Sequence, residues 1–221
     1  MSFCILCGGP DKNNRSLCID CQVDLPWITT HCFQCARPLI SSAKYCGECL
    51  QQSPPYHRTI ALFNYDDLMA RCVGLFKFHQ HLVFGKIFGN LLSERLSVAY
   101  ETDVLPQCIL PMPLHPQRLK SRGFNQALEL AYPIAKKLKL PIDIRSCHRI
   151  KPTMPQSQIQ QVEARKKNVK NAFVIDEKFS YRHVAIVEDV MTTGATISAF
   201  TKALLKVEVE RVDVWCCLRA T

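Results

Sequence analysis

No stretch of this chain approaches the roughly 20 consecutive apolar residues that a membrane-spanning helix needs, although 48% of its 221 residues are hydrophobic. The first residues, MSFCILCGGPDK, lack both a basic leader and a long apolar run, so a secretory signal is not expected and a cytoplasmic location is. Aromatic rings are scarce where positive charge is dense: only Phe124 and Tyr132 fall within residues 113–170. A nucleic-acid site built there would grip the backbone more than stack on bases. Acidic residues are scarce in the same segment, with 3 Asp/Glu against 13 Lys/Arg, a local net charge of +10 in a chain whose total is +9. A polyanion is the partner such a segment suits, and a solvated basic surface is the alternative reading.

Cysteine, by contrast, is abundant. Of 13 cysteines, eight form four C-x-x-C pairs: Cys4/Cys7, Cys18/Cys21, Cys32/Cys35 and Cys46/Cys49. The second four positions repeat the first four with an offset of 28 residues, so the module is an internal duplication. Each half supplies four thiolates, the number that a tetrahedral structural Zn²⁺ takes. Two structural zinc sites are expected, with Gly8 and Gly47 at the knuckle turns. Chain-order pairing is the simplest arrangement; a cross-braced one, first pair with third, satisfies the same spacing. Closed four-cysteine sites leave no open position for chemistry. Each is formally 2−, so two of them lower the net charge from +9 to +5, which argues against the module as the main nucleic-acid grip. The prolines of QQSPPY, residues 51–56, close it. A module over 1–53 and a body over 54–221 are expected.

In the body, apolar runs alternate with helical periodicity. Strands are expected at 59–65, 108–112, 142–150, 181–188 and 212–218. Helices are expected across 68–96 (two, broken near 79–82), 125–138 and 196–206, with a polar loop or partly ordered helix at 156–169. Such alternation indicates an α/β fold with a mostly parallel sheet, whose ligands sit at the carboxyl ends of the strands.

The segment HVAIVEDVMTTGAT, 183–196, carries the most chemistry. An apolar strand meets Glu188 and Asp189, then the loop Thr192-Thr193-Gly194-Ala195-Thr196, then a helix. Carboxylates suit ribose hydroxyls, and a loop leading into a helix N-terminus suits a phosphate.

This segment resembles the motif with which type I phosphoribosyltransferases grip 5-phosphoribosyl 1-diphosphate (PRPP). ILPMPLHPQRLKSRGFNQALELA (109–131), HRIKPTMPQSQIQQVEARKKNVKNAF (148–173), the Lys77-Phe78 step and the cysteine pairs resemble the ComF/GntX family over nearly the whole chain. One common layout of that family has fewer cysteine pairs. The resemblance implies a type I phosphoribosyltransferase-like fold carrying a double zinc module. It implies that Glu188 and Asp189 bind the ribose hydroxyls of PRPP, directly or through Mg²⁺. Thr192, Thr193 and Thr196 would donate to the 5′-phosphate, and Gly194 and Ala195 belong to the same loop. His115, Arg118, Arg122 and Gly123 correspond to a pyrophosphate loop. Lys151, Arg165, Lys166 and Lys167 fall where the fold carries a basic lid, which could close on pyrophosphate or clamp a nucleic-acid backbone. Asn125 and Gln126 could instead cap the helix that follows them. The family further implies handling of incoming single-stranded DNA during natural transformation, on the cytoplasmic side, beside uptake machinery at the inner membrane. An active transferase with an unidentified acceptor is the alternative, although no base-binding hood is readable in residues 60–100.

Overall fold

The computed structural model describes residues 2–152 and 171–220. Its centre is a parallel sheet of four strands in the order β3-β8-β7-β4: β3 (Arg58–Asn64), β4 (Cys108–Pro111), β7 (His183–Met191) and β8 (Arg211–Arg219). Each strand is apolar on both faces, which marks a sheet covered on both sides. Ile60, Leu62, Ile109, Ala185, Val187, Trp215 and Cys217 face one layer. Ala61, Cys108, Leu110, Val184, Ile186, Val214 and Cys216 face the other. Leu62, Ile109, Ile186 and Val214 are fully buried, each contributing about 1.5–3 kcal/mol of transfer free energy.

Helices α3 (Asp67–His79), α4 (Val83–Ala99) and α6 (Gln126–Leu138) cover the first face. Asp66 starts α3 by accepting the Met69 N–H at 2.8 Å, and the break before α4 follows Gln80, which adopts a left-handed conformation. Helix α7 (Ala195–Leu204) lies on the second face with an antiparallel ribbon of β5 (Cys147–Arg149) and β6 (Phe173–Ile175). The expected strand at 142–150 is therefore shorter. Ile142 makes a single bridge to Ile109 on the edge of β4, and Cys147–Arg149 pair outside the main sheet. Asp143 explains the interruption: its carboxylate accepts the N–H groups of Arg145 and Ser146 in a turn.

The cysteine module straddles the β3 edge. Its first half, with the ribbon β1 (Ser2–Phe3) and β2 (Pro10–Asp11) and helix α1 (Ile19–Val23), packs Cys4, Leu17 and Leu25 into the α3–α4 layer. Its second half, ending in helix α2 (Gly47–Gln51), packs Cys32, Cys35, Cys46 and Cys49 into the α7 layer. The chain between the halves runs along β3: Ile28 N–H donates to Leu62 O and Asn64 N–H to Pro26 O, both at 2.8 Å. An otherwise open sheet edge is thereby paired. Gly8 sits in a knuckle turn at φ +73°. Gly47, expected in a turn, is the first residue of α2 and needs no left-handed backbone.

Candidate phosphoribosyl site and zinc centres

The four cysteine sulfurs of each half lie within 4.8 Å of one another, Cys4, Cys7, Cys18 and Cys21 in one set and Cys32, Cys35, Cys46 and Cys49 in the other. Pairing is thus in chain order and not cross-braced. Cys7 and Cys18 sulfurs are 3.8 Å apart, and those of Cys35 and Cys46 3.6 Å. A tetrahedron with Zn–S of about 2.3 Å has edges of about 3.8 Å, so both sets fit the ion. Burial raises the Cys4 and Cys32 thiols, but backbone N–H groups of the knuckles outweigh it and bring them down to about 6 and about 7. The first cysteine of each set is thus favoured as a thiolate, whereas hydrogen bonding to Cys18 pushes Cys21 up and burial pushes Cys49 up. The first set has Cys7 exposed, whereas all four of the second are buried.

Because the strands are parallel, their carboxyl ends share one rim. Strand β7 continues to Met191, so Glu188 and Asp189 lie inside the strand, not at its end as the sequence suggested. Successive residues of a strand point to opposite faces. Asp189 is buried toward α3, where Lys77 Nζ meets its Oδ2 at 2.5 Å. Burial pushes the Asp189 carboxyl up, yet the charge of Lys77 and hydrogen bonding with Glu188 hold it below its ordinary value. Glu188 is partly exposed. Burial, then the Asp189 charge, then the hydrogen bond shared with Asp189 hold its carboxyl well above the ordinary value. The two acids therefore titrate as one coupled unit, in which Lys77 favours the anion on Asp189 and burial favours the proton on Glu188.

After β7 the chain turns through Thr192 and Thr193 to Gly194, at φ +72°, which caps α7. A Cβ on Gly194 would lie 3.0 Å from Met191 Cε and 3.2 Å from the Tyr56 hydroxyl. The left-handed backbone thus calls for glycine, and a Cβ would also press on the tips of Met191 and Tyr56. Thr193 Oγ1 accepts the Ala195 N–H at 3.4 Å. Thr196 lies in the first turn of α7, where backbone N–H groups have no helical acceptor.

The segment expected as a pyrophosphate loop is a short helix, α5 (Pro116–Arg122). His115 caps it, its Nδ1 accepting the Gln117 N–H at 3.3 Å, and Gly123 ends it at φ +85°. Proline at the first helical position is the sequence signal for this helix, but with Leu119 as its single large apolar side chain the segment shows no apolar face. Arg122 stacks on Phe78, 5.6 Å from the ring centroid. Burial lowers its pKa, and the charges of Asp189, Arg118 and Glu188 all act on it. Arg149 in β5 shares this environment: it is buried, its guanidinium lies 5.6 Å from the Phe173 centroid, and it senses Arg118 and Glu188. Arg122 and Arg149 thus both lie within electrostatic reach of Glu188, and Arg118 within reach of both arginines. Asn125 caps α6 by accepting the Ala127 N–H at 3.0 Å, and its amide donates to Met112 O at 3.1 Å. Lys151 is exposed just beyond β5. Arg165, Lys166 and Lys167 lie outside the described residues.

Sequence reasoning named the acids, the loop and two of the arginines. It did not assign Lys77, Arg149, Tyr56 or Arg219 to the site. Arg219 had a signal, a cation ending the apolar run VDVWCCL, and Lys77 was noted only as part of a resemblance.

With this geometry in view, comparison with known proteins is decisive. The double zinc ribbon domain matches residues 2–50, and the phosphoribosyl transferase domain matches residues 125–220. Competence protein F of Haemophilus influenzae is 33% identical over 98% of this chain and 96% of its own. The chain belongs to the ComF/GntX family. DNA utilization protein YhgH of Escherichia coli K12 is 32% identical over 98% of this chain and 96% of its own. Competence protein ComFC of Bacillus subtilis is 25% identical over 88% and 80%. The fold of this ComF/GntX member is accordingly α/β, a type I phosphoribosyltransferase-like parallel sheet with an N-terminal double zinc module. Among the described residues no helix is long and apolar enough to cross a membrane.

Proposed function

We propose that this protein binds PRPP with Mg²⁺ at the β7–α7 rim and handles single-stranded DNA during DNA uptake, on the cytoplasmic side. The observation that carries the PRPP reading is the succession, along one strand and loop, of the Glu188/Asp189 pair and the Gly194 turn into α7. The acids offer acceptors for the ribose hydroxyls, and the loop and helix N-terminus offer donors for the 5′-phosphate. Arg122 and Arg149, within electrostatic reach of Glu188, and Arg118 beside them supply cations that a pyrophosphate group would need. Mg²⁺ suits the site as well, since the partly exposed Glu188 offers it a carboxylate once its proton leaves, beside the anionic Asp189. Glu188 and Asp189 would hold it, and it would neutralise the pyrophosphate charge.

The DNA reading rests on the names of the relatives and on the basic segment. Of its residues, Lys120 on α5, Lys136, Lys137 and Lys139 at the end of α6, and Lys151 are exposed. Binding would be driven by the backbone and sensitive to salt. The three-arginine cluster also favours a second reading, ribosyl transfer to an unidentified acceptor, because pyrophosphate departure is aided by fixed positive charge.

A paired measurement tests the proposal. PRPP and single-stranded DNA affinities are measured in the wild type and in Glu188→Ala/Asp189→Ala. The double variant is expected to lose PRPP and keep DNA. A wild type that ignores PRPP at millimolar concentration overturns the ligand reading. If Arg118→Ala/Arg122→Ala leaves DNA affinity and its salt slope unchanged, α5 is not the DNA contact. Pyrophosphate release in the presence of candidate bases tests transfer.

A further inference from the structure

Arg219, the last residue of β8, is 4% exposed. A guanidinium in that position has to be met by acceptors, because an uncompensated buried cation is strongly unfavourable. The acceptors it meets are backbone carbonyls from two distant parts of the chain. Its Nε donates to Cys35 O at 2.8 Å. Its Nη1 donates to Met191 O at 3.3 Å and also to the carbonyls of Thr192 and Ala220. Cys35 is a ligand of the second cysteine set. Met191 and Thr192 lead into the phosphate loop.

A second contact runs in parallel. The Tyr56 hydroxyl abuts Gly194, and Tyr56 shares one buried cluster with Met191 and with Cys32, Cys35, Cys46 and Cys49. The first cysteine set packs on the other face, beside α3 and α4. The two zinc sites therefore have unequal relations to the loop.

We infer that Arg219 is a positioning residue that uses the carbonyl of a zinc-ligating cysteine to hold the phosphate loop, so that occupancy of the second zinc site, and not of the first, sets the order of residues 192–196. A planar fork can bond acceptors on two sides at once, which a lysine ammonium at the same place cannot do with fixed geometry. The inference deepens the PRPP reading and rests on it only for its effect on affinity.

Hydrogen exchange of the amides of residues 192–197 tests the inference without PRPP, alongside zinc content. Arg219→Gln is expected to raise exchange there at least tenfold while both zinc ions are retained, and Arg219→Lys to restore part of the protection. Cys46→Ser is expected to lose one zinc and show the same loosening. Cys7→Ser is expected to lose one zinc and loosen residues 2–25 alone. Equal loosening of the loop by Cys7→Ser, or an unchanged loop in Arg219→Gln, overturns the inference. If a variant exchanges globally, the wild type is titrated with a zinc chelator instead. Loop exchange must then rise with that of residues 32–50; a rise tracking residues 2–25 overturns the inference. Calorimetry with PRPP separates the two readings. A wild type that fails to bind sinks the proposed function and leaves the exchange result standing. Given a wild type that binds, Arg219→Gln weakens PRPP at least tenfold; unchanged affinity with a loosened loop removes the positioning role.

Discussion

Lys77 Nζ lies 2.5 Å from Asp189 Oδ2, tying the last turn of α3 to the strand that carries the acidic pair. The carboxylate is buried and the ammonium mostly so, and the contact is an ion pair rather than a well-directed hydrogen bond. Removing one partner of such a pair leaves an uncompensated charge, at a cost of about 3–5 kcal/mol. Lys77→Met is therefore expected to lose a large part of that amount at pH 7. The folded pKa of Asp189 is depressed. Its contribution is thus present above the unfolded value of about 3.9 and lost as pH falls through the folded one. The deficit of Lys77→Met should accordingly narrow in acid, as urea denaturation of both proteins at pH 7 and below the unfolded value of about 3.9 will show. A deficit independent of pH would mean that the lysine contributes packing alone.

Glu188 has the opposite sign. Burial and the neighbouring Asp189 charge raise its pKa, so its proton must leave before the group can act as a full carboxylate toward ribose or Mg²⁺. PRPP affinity in the presence of Mg²⁺ is expected to climb with pH, by at most about tenfold per unit for a single proton, from the ordinary glutamate value of about 4.3 up to the raised one. Stability moves the other way: the contribution of protonated Glu188 is complete below the unfolded pKa and is lost as pH rises through the folded pKa. Calorimetry in buffers of different ionisation enthalpy should detect proton release on binding. Glu188→Gln should abolish that release and flatten the pH profile. Proton release that persists in Glu188→Gln would place the titrating group elsewhere.

These two acids show how far the sequence could be read. Their identity was legible because an apolar run ending in paired carboxylates and a threonine-glycine loop is a local pattern. Their coupling was not, because Lys77 lies more than a hundred residues away and reaches Asp189 only through the packing of α3 on the sheet. The same holds for Arg149, one cation in a segment dense with them, whose burial against Phe173 depends on an antiparallel ribbon formed with residues 173–175. The four main strands were legible because each is a short apolar run, whereas α5 was missed for lack of any apolar periodicity. The cysteine spacing gave the ligands but not their pairing, which the two sets of sulfurs decide.

Gly89 allows α4 and α6 to touch. A Cβ there would lie 2.8 Å from Leu130 O and 2.9 Å from Pro133 Cγ. Both obstacles are stiff, one a helix carbonyl and the other a proline ring inside α6. Helix propensity alone would favour alanine by about 1 kcal/mol, but overpacking costs about 1–3 kcal/mol and here strikes backbone. Gly89→Ala is expected to destabilise by about 1–2 kcal/mol, seen as a lower denaturation midpoint at unchanged m-value. An unchanged or raised midpoint would show that α6 can shift freely along α4.

Asp213 tests the far end of the same sheet. It is fully buried, and its carboxylate accepts from the Tyr100 hydroxyl at 2.5 Å, Arg58 Nε at 3.3 Å and Arg211 Nε at 3.2 Å, with His183 Nε2 at 3.3 Å. Burial pushes its pKa up, but the close contact of His183 and the hydrogen bonds from Arg211 and Tyr100 outweigh it and hold the group far below the ordinary range. Asp103 also pairs with both arginines, at 3.1 Å from Arg58 and 2.7 Å from Arg211, so loss of Asp213 leaves them one anion between them. Asp213→Asn keeps the shape and removes the charge, and is expected to cost about 3 kcal/mol at pH 7. The network joins the amino ends of β3, β7 and β8, opposite the rim that holds Glu188 and Gly194. PRPP affinity per folded molecule should therefore stay within about twofold of wild type while the denaturation midpoint falls. A large loss of affinity in a variant that is still folded would show that strain at this end reaches the loop of residues 192–196 through β7 or β8.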